Sequence, residues 1–386
     1  MGSVPSSRPS QDDSPVAMRE RLLEMFPRLL DAHQRASALV APELSRLNAE
    51  AAGRSHRRHH YVPQFWLKKF AEDETLCVVD PSGEQPPRCG DADDEAFVRD
   101  LYATYAEPRS DDASSEADVS VLWEHVVAVF ENRAAPPFTR LIECRDGSTP
   151  VLSDLERFWV SVLVALQFVR VPSHFDAVRS SRDAVAQRFA MSLASLGPPR
   201  EWMTDEMCRE ANIDPADLEG FDWSPESFGP DGEFIVSIDR KTDVPSMLEH
   251  AFDPEIVSFV FSRTWVVIKF PDGGLSLPLR DGVYLRMSNA GGLYGSPGLG
   301  SAEEIWVPMS PDTLLVMHWQ NTNWAPTGWT AEACVARLGH RGGQQACHPD
   351  HAERVAAVWD AYLSSDRGLS ALAEDSANIG VPHLVR

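Results

Sequence analysis

The sequence predicts an α+β fold in which a helix-rich N-terminal two-thirds packs on a small C-terminal antiparallel β-sheet. Three observations predict it. Apolar residues recur at helical spacing through most of residues 16–196. One stretch there, Leu152 to Val171, is apolar nearly all round and reads as a buried central helix. After Ser262 the period shortens to runs of β-branched and apolar residues separated by Gly, Pro, Asn and Asp, the mark of short antiparallel strands.

The elements follow in order. Residues 1–14 are rich in Ser, Pro and Asp and read as a disordered tail. Leu22, Leu23, Phe26, Leu29 and Leu30 give a helical hairpin, expected to be interrupted near Pro27 or Pro42. Thr75 to Asp80 is a short strand closed by a turn at Pro81-Ser82-Gly83. Val119, Leu122, Trp123, Val126 and Phe130 share a helical face, and Pro136-Pro137 is expected to break that helix. Pro172 restarts the chain as a helix to about Leu196, and residues 197–242 read as an irregular insertion. A helix over 244–262 precedes the strands of 264–318, and helices near 330–338 and 351–364 close the chain. The expected division is a tail at 1–14, a mainly helical region at 15–262 and a sheet with closing helices at 263–386, the last two forming one unit.

Charge and cysteine usage exclude some functions. With 58 acidic and 35 basic residues, the formal net charge of −23 repels phosphate and anionic lipid at long range, which disfavours duplex-DNA binding. The longest apolar run, Phe158 to Val169, falls short of the roughly 20 residues a membrane span requires. The six cysteines are scattered with no C-x-x-C pair, so reduced thiols and a cytoplasmic location are expected. No P-loop, dinucleotide fingerprint or nucleophile elbow is present, which disfavours ATPase, Rossmann dehydrogenase and α/β-hydrolase chemistry. Cys347-His348-Pro349-Asp350-His351 lacks the second Cys/His pair that a zinc site needs.

The most unusual segment runs from Arg54 to Lys69, with five cations, no acid and the histidines His56, His59 and His60. It continues as His60-Tyr61-Val62-Pro63-Gln64-Phe65-Trp66-Leu67-Lys68-Lys69-Phe70. Further on stand Glu124 and Glu131, seven residues apart; Gln167-Phe168-Val169-Arg170-Val171-Pro172 at the end of the apolar helix; and Pro308-Met309-Ser310-Pro311. These motifs resemble those of a bacterial family known as domain of unknown function 4238, over roughly residues 56–320. The family's Thr-Ser-Asp site is reduced here to Leu279-Arg280-Asp281, so Asp281 alone is carried over.

Histidines near neutrality move protons or ligate metal, carboxylates hold hard cations, and guanidinium groups read anions. On that chemistry, His60, Gln167, Arg170 and Asp281 are the candidate catalytic residues, and Glu131 with Asp281 would hold Mg²⁺ or Mn²⁺. The expected activity is a hydrolase of a phosphate-containing substrate, such as a nucleotide or a nucleic-acid end. The competing expectation is a non-enzymatic binding or regulatory protein that uses the basic, aromatic segment. Each candidate also has a structural reading. The aromatic residues would pack into the core while His60 bonds a backbone carbonyl; Glu124 and Glu131 would lie on a solvated face; and Gln167 and Arg170 would form an internal network with Glu131 or Asp281.

Overall fold

The computed structural model describes residues 13–50, 58–99, 104–105, 119–120, 122–196, 203–210, 251–271, 274–280, 282, 284–286, 299–300, 302–319, 330–339 and 345–363. Residues 1–12 of the expected disordered tail, most of the 197–242 insertion and Asp281 lie outside them, while residues 13–14 of that tail open a helix. The chain divides into two compact units, Met1–Val171 with Leu248–Arg386, and Pro172–Met247. The smaller unit contains helices α5 (Pro172–Ala194) and α6 (Asp205–Glu210).

In the larger unit, α1 (Asp13–Glu50), α3 (Leu122–Ile142), α4 (Asp154–Val169) and α7 (Pro254–Phe261) pack together. At the centre is α4, as its composition requires: Phe158 to Leu166 are all buried. Its start is fixed by a capping box, in which the Ser153 hydroxyl accepts from the Glu156 amide and the Glu156 carboxylate accepts from Ser153. On the neighbouring helix, Arg28 grips Asp154 through both carboxylate oxygens at 3.0 and 2.5 Å. That places a carboxylate in the first turn of α4, where the helix dipole favours it.

The expected C-terminal sheet is present. Strands β7 (Thr264–Lys269), β11 (Thr313–His318), β10 (Glu304–Ser310) and β9 (Tyr284–Arg286) pair antiparallel in the order β7-β11-β10-β9. A second four-stranded sheet was not legible in the sequence. Strands β2 (Thr75–Val79) and β3 (Arg88–Asp91) join β8 (Leu279–Arg280) and β12 (Gln345–Cys347) in the order β3-β2-β12-β8. The two sheets share a core containing Val79, Ile268, Trp306, Val316 and Trp359, closed by α8 (Ala331–Gly339) and α9 (Ala352–Leu363). Two two-stranded ladders also form, β1 (Arg58–His60) with β4 (Phe97–Arg99) and β5 (Thr104–Tyr105) with β6 (Val119–Ser120).

Three expectations are corrected. Helix α1 is continuous through Pro27 and Pro42, and α3 runs unbroken through Pro136 and Pro137. In α1 both prolines face solvent, while Met25, Leu29, Ala32, Ala36 and Val40 form an uninterrupted buried stripe against α4 and α7. Packing of that stripe outweighs one lost backbone hydrogen bond per proline. The cysteines are not all reduced, because Cys77 and Cys89 form a disulfide.

Two arginines, Arg157 half-buried and Arg263 wholly buried, hold the turn from α7 into the first sheet. Arg157 donates to the carbonyls of Phe261 and Arg263 and lies over the Trp265 ring at 4.2 Å. Arg263 donates to the carbonyls of Phe259, Leu299, Ala302 and Glu303 and lies over Trp319 at 4.1 Å. Helix-terminal carbonyls have no partner inside their own helix, so each guanidinium supplies several donors where they are needed.

Candidate functional site

The signature begins on β1, where His60 pairs in register with Phe97 and the Tyr61 amide donates to Ala96 at 3.0 Å. Pro63 is fixed at φ −57° and ψ 135°, which turns the chain directly into the short helix α2 (Gln64–Leu67). Val62, Trp66, Leu67 and Phe70 are buried, and the Trp66 indole donates to the Pro308 carbonyl at 2.8 Å. Two of the matched motifs, 242 positions apart, are thus joined by one hydrogen bond.

His60 Nδ1 lies 3.2 Å from the Glu95 carbonyl, and the Gln64 amide nitrogen lies 3.0 Å from both ring nitrogens. With Nδ1–H donating to Glu95 and Nε2 accepting from Gln64, both partners are satisfied. The imidazole is therefore oriented by its neighbours. The ion pair of Arg88 with Glu95 holds the segment that offers this carbonyl.

At the end of α4, Gln167 donates from its amide nitrogen to the Tyr61 carbonyl at 3.0 Å. Its oxygen accepts from Arg170 Nε at 3.1 Å and from a second guanidinium nitrogen at 2.8 Å. The remaining arm of Arg170, which is fully buried, pairs with Glu131 on α3. Gln167, Arg170 and Glu131 thus form one hydrogen-bonded network, which reaches the signature at the Tyr61 carbonyl; His60 is the chain neighbour of Tyr61, and its imidazole bonds Glu95 and Gln64. Asp281 lies outside the described residues; the adjacent Gly282 lies where a Cβ atom would meet a Val171 methyl at 3.3 Å and the Gln167 carbonyl at 3.7 Å.

Glu124 departs from the solvated face expected of it. Its Oε2 atom is buried with no hydrogen-bond partner among the described residues. Burial pushes its carboxyl up to about 7, the charge of Glu131 adds to the rise, and Arg170 opposes it. Only the seven-residue spacing from Glu131 signalled this in the sequence. The burial that decides it depends on neighbours from other elements.

The Cys347–His351 segment contributes one further cluster. Ligand atoms of Glu72, His348 and Asp350 all lie within 4.8 Å of one another. His348 Nδ1, however, accepts the Asp350 amide at 3.3 Å, so the proton resides on Nε2, which faces Glu72 at 3.8 Å. A metal on Nε2 would require the other tautomer and the loss of that helix-capping bond. Cys347 is not part of the cluster, since it is buried in the core.

These features define an α+β protein whose sequence motifs meet in a partly buried carboxylate, amide and guanidinium network. The chain belongs to the family described as "Protein of unknown function (DUF4238)", which matches residues 58–322. No curated protein and no solved structure is significantly similar to it.

Proposed function

We propose that this protein is a hydrolase of a phosphate-containing substrate in which Glu124 is the general acid. The observation that carries the reading is the pair of carboxyl groups on α3 with opposite environments. Glu131 is neutralised by a buried arginine, whereas Glu124 Oε2 has no hydrogen-bond partner among the described residues and the carboxyl is pushed up to about 7. Paired carboxyl groups driven apart in this way are how acid and base roles are divided at neutral pH. In this reading water attacks phosphorus and the P–O bond to the leaving group breaks. Glu124 gives its proton to the departing oxygen, and the proton lost by the water restores it.

Gln167 and Arg170 hold α3, α4 and the signature in place, His60 positions the signature loop, and Asp281 remains a proposed carboxylate of the site. The basic stretch from Arg54 to Lys69 supports an anionic substrate. A divalent cation on Glu131 would compete with Arg170 for its charge, and no step is assigned to Mg²⁺ or Mn²⁺.

The test is turnover on a panel of phosphomonoesters, phosphodiesters and nucleotides. Glu124→Gln is expected to reduce turnover by about 10² or more, the usual scale for a positioned acid or base. Undiminished turnover in that variant would remove Glu124 from the mechanism. A wild-type protein inert across the panel would favour a second reading, a non-enzymatic binding protein, which is supported by the complete burial of Arg170 among internal partners.

A further inference from the structure

Three cysteines distant in sequence stand in one row across the second sheet. Cys77 on β2 is directly opposite Cys89 on β3, and on its other side it is directly opposite Cys347 on β12. Residues paired in register across antiparallel strands present their side chains on the same face. The row runs from solvent to core: Cys89 on the edge strand is exposed, whereas Cys77 and Cys347 are wholly buried. Cys77 and Cys89 are bonded, and Cys347 is a free thiol.

We propose that Cys77 and Cys89 form a reversible redox site that exchanges with low-molecular-weight thiols through the exposed sulfur of Cys89. Only that sulfur is open to an external nucleophile, since Cys77 has no exposed surface. A small thiolate attacks Cys89 Sγ; a mixed disulfide forms, the Cys77–Cys89 bond breaks, and the released Cys77 sulfur takes a proton. A second thiolate attacks the outer sulfur of the mixed disulfide and expels Cys89. Two external thiols are oxidised to one disulfide while the protein pair gains two electrons and two protons. An oxidised small disulfide reverses both steps.

Cys347, although equally well placed beside Cys77, does not compete. Burial pushes its thiol up to about 12, so near neutral pH the nucleophilic thiolate is scarcely populated. Partner choice within the row is thereby set by exposure. The bond ties the edge strand to β2 one residue from Arg88, whose ion pair with Glu95 holds the loop that orients His60.

The experiment uses the full chain, folded, equilibrated in buffers of reduced and oxidised glutathione at set ratios. Native alkylation followed by denaturation and a second, isotopically distinct alkylation then reads each cysteine by peptide mass. The expected result is a single transition in which Cys89 gains the first label and Cys77 the second, together and reversibly. Cys347→Ala should leave that transition in place, and Cys89→Ser should abolish it, with Cys77 a free thiol at every ratio. Two results would overturn the proposal: Cys77 and Cys89 remaining free thiols in oxidised glutathione, or a bond that opens only when the protein is denatured.

Discussion

Glu124 and Glu131 lie on one face of one helix, yet the fold gives them opposite tasks. The charge on Glu131 is favoured, because Arg170 is fully buried and Glu131 is the carboxylate that pairs with it. The charge on Glu124 is a burden. Its folded carboxyl sits at about 7 against an ordinary 4.5, so between those values the folded state binds a proton that the unfolded state has lost. Stability therefore falls as pH rises from about 4.5 through 7, by up to about 3 kcal/mol at about 1.4 kcal/mol per unit. Glu124→Gln is expected to flatten this slope and to melt higher than wild type at pH 8, measured by thermal unfolding across pH 5 to 8. An unchanged slope would place the titration elsewhere. Glu131→Ala should act in the opposite direction, lowering stability by about 3–5 kcal/mol, and equal melting of variant and parent would show that Arg170 has another partner for its charge. The network was legible from Gln167 and Arg170 because a polar pair in so apolar a helix needs internal partners. Arg157 and Arg263 were not, since their acceptors are backbone carbonyls, which every residue carries and no sequence pattern marks.

At the scale of elements, helices and strands were read where side-chain period decides them, and misread where a single residue type was allowed to overrule the period. An interruption of α1 was expected near Pro27 or Pro42; the buried stripe from Met25 to Val40 keeps the helix continuous instead. The intrinsic cost of an interior proline persists, at about 3 kcal/mol relative to alanine. Part of it is offset by the smaller entropy of the proline-containing unfolded chain, worth up to about 1 kcal/mol. Pro27→Ala is therefore expected to stabilise the protein by roughly 2 kcal/mol, seen as a higher denaturant midpoint with an unchanged slope. A lower midpoint would mean that the packing of α1 on α4 and α7 depends on the local bend that Pro27 imposes. The strands of 264–318 were legible from their short apolar runs, whereas β12 is three residues long, too short for a period to show.

At the scale of the molecule, the residues that mark the family and the residues that make the fold are not the same set. The family match spans 58–322, and within it lie the signature, Glu131, Gln167, Arg170 and Pro308. Yet β12, at Gln345–Cys347, is the strand between β2 and β8; without it β8 loses its only neighbour in that sheet and one edge of β2 is exposed. Trp359 and Val355 on α9 lie in the core cluster shared with Val79, and the stripe on α1 covers α4 and α7 from outside the matched region. A fragment of residues 58–322 would therefore expose a sheet edge and two apolar faces at once, each a route to aggregation as well as a loss of burial. Buried apolar area contributes on the order of 25 cal/mol per Å², and net stabilities are only about 5–15 kcal/mol, so losing one helix stripe and one strand is enough to abolish the native state. The fragment is expected to show no cooperative thermal transition and no near-ultraviolet circular dichroism from its buried tryptophans. Residues 13–363 should melt cooperatively, with the dichroism of the full chain. A cooperative melt of the 58–322 fragment with native dichroism would mean that the signature network alone organises the core, and that α1, β12 and α9 only decorate it.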